Sequence, residues 1–217
     1  MTLEEKEEAV KGPAILAGAK ISEELSALLR LHIQTYDVGL PVLQHALMRT
    51  WDYWMINAEA DQAVDVEHYM AIGTITDALS VHAEQIYGSL QNLELKKVTE
   101  KLFKSLTHLG EDNRGTRRPA RLDEICKITG AHEEDVVAVI EEFRAEGNSF
   151  LMPLLPTRIK PTTVIDISHE SIMRVWKRLV SWVSEETESA QLYLRLSKSA
   201  ELYQEGKTGL LENPDYN

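Results

Sequence analysis

The 217-residue sequence contains a single cysteine, Cys126, which excludes an internal disulfide and favours a reducing compartment. It also lacks any apolar run near the roughly 18 residues that a membrane-spanning helix needs. Its acidic beginning, "MTLEEKEEAVKG", has neither the basic region nor the apolar region of a secretory signal peptide. These absences predict a cytoplasmic protein with no membrane partner.

Positive charge is scarce as well. The chain has 23 Lys and Arg against 35 Asp and Glu, which gives a net charge of −12. Because attraction to phosphates is the main sequence-independent term in nucleic-acid binding, no nucleic-acid partner is expected. The basic residues form two groups, each interpreted as a solvated surface or as a site for one anion or acidic partner: Arg114, Arg117, Arg118 and Arg121, then Arg174, Lys177 and Arg178.

The motifs of common enzymes are missing. No pair of cysteines has metal-ligand spacing, and neither HExxH nor GxSxG occurs. The tripeptide Gly-Lys-Thr at 206–208 ends like a phosphate-binding loop, but Glu201 stands where that motif needs its first glycine. The apolar run before Asp166 is likewise too short for a strand whose last residue binds Mg²⁺. The sequence therefore predicts no catalytic and no metal-binding residues within this chain.

Apolar residues recur at a spacing near 3.6, which predicts a mainly α fold. Helices are expected within 3–34, interrupted near Pro13, and then at 41–56, 75–90, 94–109, 122–129, 132–147, about 170–183 and about 186–206. The polar stretch 110–121 is interpreted as a loop, and strands are expected at 150–155 and 163–168.

Helix, short helix, helix and a two-stranded wing is the element order of a winged helix-turn-helix. We therefore predict an all-helical domain at 1–92, a winged-helix domain at 93–183 and the start of a following helical segment at 184–217. The ending "LLENPDYN" shows no compact close, so the sequence is interpreted as a fragment of a longer protein.

A winged helix often binds DNA through its second helix, here 132–147. That segment carries six acidic residues and one basic residue: Glu133, Glu134, Asp135, Glu141, Glu142 and Glu146, with Arg144. Such a surface repels phosphates, so DNA recognition by this helix is disfavoured. A contact with protein remains the alternative use of the fold.

His169 stands between the second predicted strand and the helix that follows. Ser168 is a good N-cap residue, so the unpaired N–H groups of that helix should lie near the histidine. A helix N-terminus carries about half a positive charge and commonly binds phosphate, although Glu170 competes for this field. Two interpretations stay open from the residues alone: His169 contacts an anion, or it bonds to backbone at a packed junction.

The segment "ISHESIMRVWKRLVSWVSEETE" (167–188) resembles the end of the winged-helix domain in STAND NTPases, the signal-transduction ATPases with numerous domains. The likeness is greatest to the bacterial group called novel STAND NTPases, in which a small residue and His-Glu precede a helix with two tryptophans, here Trp176 and Trp182. Four further segments resemble the group's pattern in the same order: "GPAILAG" (12–18), "GLPVLQHALMRTW" (39–51), "YMAIGTITDALSVHAEQIY" (69–87) and "LFKSLTHLGEDNRGTRRPARLDEI" (102–125).

The resemblance implies a nucleotide switch. In such proteins a helical lid and a winged helix follow a Walker-type ATPase core and close over ADP. Pro41 holds the position of the proline that lies against adenine, and His169 that of the histidine that contacts the β-phosphate. Exchange of ADP for ATP then opens the protein and permits oligomerisation.

The resemblance also implies partners outside the chain. They are an upstream P-loop core, which would hold ADP or ATP with Mg²⁺, and a downstream repeat or sensor domain. Because the P-loop and the Mg²⁺-binding strand are absent here, this chain alone should neither hold nucleotide tightly nor hydrolyse it. A winged-helix protein-interaction or DNA-binding module that uses no nucleotide is the alternative.

Overall fold

The computed structural model describes residue 12 and residues 16–36, 39–109, 115–204 and 206. Several predictions fall outside these described residues: the first part of the helical stretch 3–34, the interruption at Pro13, the position of Arg114 and most of the Gly-Lys-Thr tripeptide. The described residues confirm a mainly helical fold with small antiparallel sheets.

The N-terminal part contains four described helices: α1 (Glu23–Thr35), α2 (Leu40–Asn57), α3 (Val66–Ala71) and α4 (Thr74–Ser89). Local signals explain where they begin. The hydroxyl of Ser22 accepts a hydrogen bond from the N–H of Leu25 at 3.1 Å and so caps α1. Helix α2 has a proline in its first turn, where the fixed φ suits a helix. Helix α4 follows Gly73, whose φ of 90° lies in the left-handed region.

The remaining described elements surround a three-stranded sheet. In chain order they are α5 (Leu93–Ser105), β1 (Thr107–Leu109), β2 (Gly115–Arg117), β3 (Ala120–Arg121), α6 (Leu122–Thr129), α7 (Glu133–Arg144), β4 (Leu151–Met152), β5 (Val164–Ile167), α8 (Ser171–Val175) and α9 (Lys177–Gln204). Strand β5 is central, with antiparallel neighbours β3 and β4. From α5 onward, leaving aside the β1–β2 hairpin, the elements follow the order of a winged helix.

Residues 115–121, the described part of the predicted loop 110–121, differ from that prediction. Strand β1 pairs with β2 in an antiparallel hairpin, and β3 adds a third strand to the predicted two-stranded wing. As a result α5 ends at Ser105, earlier than the predicted 109. These strands contain two or three residues each, and their pairing comes from backbone hydrogen bonds that leave little pattern in the side chains.

The helices after His169 also differ from the prediction. The helix expected at about 170–183 is interrupted at Trp176, and α9 runs without a break through the expected gap before 186. The interruption has a tertiary cause, since the Trp176 ring is fully buried against Phe103 and Phe143, with centroids 4.9 and 5.7 Å away. Aromatic packing at this position therefore sets the break that the helical periodicity does not show.

Two hydrophobic cores meet along α4. The first includes residues from Leu25 to Ala78, and the second includes residues from Leu79 to Trp182. Helix α4 thus contributes to both, and any movement of one core against the other acts on this helix. No helix among the described residues combines the length and the apolar character that a membrane crossing requires.

Candidate functional site

Pro41 lies in the first turn of α2 and is half-buried. Gly39 precedes the helix and makes no side-chain capping bond. His45 follows Pro41 by four positions, so the two side chains share one face of α2. The geometry around His45 therefore bears on the surroundings of Pro41.

His169 is exposed between β5 and α8. The prediction that Ser168 caps the next helix is wrong, because the cap position belongs to Glu170 and has no side-chain capping bond. The N–H of Ser168 instead donates to the carbonyl of Phe150 at 3.0 Å, immediately outside the paired residues of β5 and β4. Helix α8 has only five residues, so a helix-dipole argument for anion binding at His169 does not hold.

Two polar atoms beside His169 are buried without a hydrogen-bond partner in the described part of the chain: the Ser168 hydroxyl and one oxygen of Asp166. The other Asp166 oxygen accepts from Arg117 at 3.0 Å. The same Arg117 nitrogen donates to the carbonyl of Ile167 at 3.2 Å. A partly exposed guanidinium thus anchors the end of β5, two residues before His169.

Helix α4 holds the segment that follows His169. Glu84 accepts from the indole Nε1 of Trp176 at 2.8 Å and from two nitrogens of Arg178, with shortest distances of 2.8 and 2.7 Å. Lys177 pairs with Asp77 at 2.7 Å. The hydrogen bonds from Arg178 are the main cause that lowers the pKa of Glu84, so its carboxylate stays ionised. These bonds fix the start of α9 and, through it, α8.

A histidine pair, of which His82 is buried and His45 half-buried, lies between α2, α4 and the turn before β4. Nδ1 of His82 is 3.2 Å from Nε2 of His45, and Nε2 of His82 is 3.0 Å from Oδ1 of Asn148. The Asn148 amide donates to the carbonyl of Glu142 at 2.6 Å. Oδ1 of Asn148 must therefore accept, so His82 donates from Nε2 and, as a neutral ring, accepts at Nδ1 from His45.

Both histidines are held in the neutral form. Burial, followed by the charges of Arg49 and His169, lowers the pKa of His45 to about 4. Burial, followed by the charges of Arg49 and His45, lowers the pKa of His82 to about 3, although its bond to Asn148 opposes the shift. His169 thus acts on His45 through its charge, and Pro41 precedes His45 by one turn of α2.

Sequence reasoning did not single out His45, His82 or Glu84. One signal was present for His82, which falls on the apolar face of α4 among Leu79 and Ile86. A histidine on such a face is buried and must find hydrogen-bond partners. The partners themselves are 37 and 66 positions away in sequence, so no local pattern identifies them.

The described residues bring no three metal-ligating side chains together. A cavity of about 470 Å³ opens between α1, α2 and α3, and Leu40, Leu43, Leu47 and Trp51 form much of its apolar lining. It begins next to Pro41 and can admit an apolar or aromatic group, with Gln44 as a polar side chain in its wall.

Comparison with known families gives a match over most of the chain. The family model described as Novel STAND NTPase 1 matches residues 1–209. No curated protein and no solved structure matches the chain significantly.

Proposed function

The chain belongs to the novel STAND NTPase 1 family, and from this premise we propose that it is the nucleotide-state-sensing region of a STAND ATPase. Its helical part acts as a lid, and its sheet-containing part closes with that lid over ADP held by a P-loop core. Pro41 lies against the adenine, and His169 donates to the β-phosphate. Exchange for ATP removes the His169 contact and releases the closed form.

The observation that supports this proposal is the relation of both Pro41 and His169 to His45. They are far apart in sequence, yet His45 lies one helical turn from Pro41 and close enough to His169 for the charge of His169 to lower its pKa. The residues also suit the ligand, because a proline ring offers an apolar surface to a base and an exposed imidazole offers an N–H to a phosphate.

The strength of one such contact is enough for a switch. A hydrogen bond to a charged group contributes on the order of 1.5–3 kcal/mol. This corresponds to a roughly 10- to 150-fold bias toward the closed state, provided that ATP prevents the contact. The bound nucleotide therefore sets the conformational population, and His169 reports which nucleotide is present.

The partners and cofactors follow from the same proposal. The P-loop core supplies the phosphate-binding loop and the Mg²⁺ site, so ADP or ATP binds mainly to that core. A repeat or sensor domain on the C-terminal side receives the signal, and the opened protein oligomerises. This region contributes no catalytic residue of its own.

The test uses the full-length ATPase that contains this region, loaded with a fluorescent ADP analogue. His169→Ala should accelerate ADP release by roughly 10-fold or more, because the closed state loses its phosphate contact. His132→Ala, at an exposed position before α7, is the matched control and should release ADP like the wild type. Equal release rates for His169→Ala and the wild type would exclude the role of His169.

A further inference from the structure

A chain of hydrogen bonds crosses from α2 to the part of the molecule that contains the β3–β5–β4 sheet. It starts at His45 on α2, passes through His82 on α4 and reaches Asn148 in the turn between α7 and β4. Only 4% of the His82 surface is exposed, so water has little access to replace these bonds. His82 thus stands at the point where three separate segments of the chain meet.

The turn that presents Asn148 is shaped for this contact. Gly147 and Ser149 have φ values of 82° and 53°, and the left-handed conformation is unfavourable for serine. Phe150 follows in the same turn, and its ring meets the His45 and His82 rings edge-on at 5.6 and 5.3 Å. The hydrogen bond and the aromatic contacts therefore depend on one alignment of the turn with α2 and α4.

The charges that act on the pair come from Arg49 and His169. Arg49, one turn beyond His45 on α2, is held toward α4 by a 2.9 Å bond to Gln85. The charge of His169, at the junction of β5 and α8, acts on His45. Helix α7 contributes the backbone carbonyl of Glu142 to the relay. Positive charge from Arg49 opposes any further positive charge on either histidine.

We propose that His82 is a positioning residue that fixes α2 against the β3–β5–β4 sheet, and with it the separation of Pro41 from His169, as long as both rings of the His45–His82 pair are uncharged. The inference rests on the proposed nucleotide role only for its consequence in the ATPase. The orientation itself needs no nucleotide and is testable in this chain.

Protonation interrupts the relay at one bond. His82 already donates from Nε2, so a second proton goes to Nδ1, which faces the Nε2–H of His45 at 3.2 Å. Two donors then oppose each other unless His45 changes its tautomer. An arrangement in which the rings separate lets each histidine bind a proton with an ordinary pKa near 6.5. By linkage, pH 5 then favours the separated arrangement by roughly 30-fold for each histidine.

Pulsed electron-resonance distances can measure this orientation in the 217-residue chain. Spin labels go on Ile56→Cys, at the exposed end of α2, and Glu134→Cys, on the exposed side of α7, in a Cys126→Ser background. We expect one narrow distance distribution at pH 7.5. At pH 5 the distribution should broaden or move to longer distances, while circular dichroism shows that the helices persist.

Two variants separate positioning from simple packing. His82→Gln keeps an N–H for Asn148 and an oxygen for His45 but binds no proton, so its distribution should stay narrow at both pH values. His82→Leu can neither donate nor accept and should give the broad distribution at both. If the leucine variant does not fold, the comparison between the wild type and His82→Gln decides alone.

The inference is overturned if the wild type shows the same distances at pH 7.5 and pH 5, or if His82→Gln changes as much as the wild type. A folded His82→Leu variant with the narrow distribution would overturn it too. No nucleotide is present in these measurements, so a failure of the ADP-release test leaves them unaffected. Conversely, a negative distance result leaves the role of His169 standing.

Discussion

Replacement of Glu84 should reveal how strongly α4 holds the segment after His169. The carboxylate accepts from the indole of Trp176, whose ring is fully buried, and from Arg178. Glu84→Leu leaves the indole N–H without a partner, at a cost of about 1–3 kcal/mol. The ion pair is 38% exposed on both sides, so solvent screening limits its contribution to about 1 kcal/mol. The expected loss of unfolding free energy is therefore about 2–4 kcal/mol.

Glu84→Gln is the matched variant, because it keeps an oxygen acceptor for Trp176 and removes the charge. We expect it to cost only about 1 kcal/mol, the share of the ion pair. Urea denaturation followed by tryptophan fluorescence measures both variants, and the midpoint should fall markedly further for leucine than for glutamine.

A double-mutant cycle with Trp176→Phe isolates the indole bond. Phenylalanine has no N–H, so Glu84→Leu should cost only about 1 kcal/mol when Trp176 is already replaced. If leucine and glutamine destabilise the protein equally, or if the two changes simply add, the buried indole bond is not what Glu84 contributes. The contact of Glu84 with Arg178 would then be a surface ion pair that does little to hold the segment after His169.

The long helices could be predicted because a helix that buries one face has apolar residues at a regular spacing along the sequence. The helix expected at 41–56 runs from Leu40 to Asn57, and that expected at 75–90 runs from Thr74 to Ser89. Residues 122–129 form α6 as predicted. In each case a stripe of apolar side chains faces a core. The residues of such a stripe lie three or four positions apart in sequence, so the pattern is visible without the structure.

The junctions were predicted less well because distant residues decide them. Ser168 is a good N-cap by its type, but its N–H donates to the carbonyl of Phe150 and the helix begins only after Glu170. No glycine or proline marks the break at Trp176, where packing and the bond to Glu84 set the end of α8. At Ser168 and at Trp176, tertiary contacts therefore override the local helix propensity.

The candidate site shows the same division. Pro41 and His169 were identified through the resemblance to a family, and no spacing along the chain relates them. The relay through His45, His82 and Asn148 depends on neutral tautomers and on a turn with two residues at positive φ. The three residues lie on segments that are far apart in sequence, so their contacts can be identified only in the folded structure.

Two further predictions follow from buried hydroxyl and imidazole groups. Tyr69→Phe should lower the unfolding free energy by about 1–3 kcal/mol in urea denaturation, since the hydroxyl accepts from the N–H of Ile75 at 2.8 Å near the start of α4. Acid should also destabilise the chain through His45 and His82. Their pKa values of about 4 and about 3 in the folded state lie below the 6.5 of the unfolded state. Between pH 8 and pH 5 the unfolded chain therefore binds protons that the folded chain excludes. While the two rings stay packed, stability that is complete above pH 6.5 falls by about 2 kcal/mol for each histidine at pH 5, and separation of the rings within the folded chain makes this fall smaller. His82→Gln removes one of the two groups, so the loss between these pH values should be smaller in that variant than in the wild type, by up to about 2 kcal/mol. Equal losses in the two proteins would mean that His82 binds its proton as readily in the folded chain as in the unfolded one.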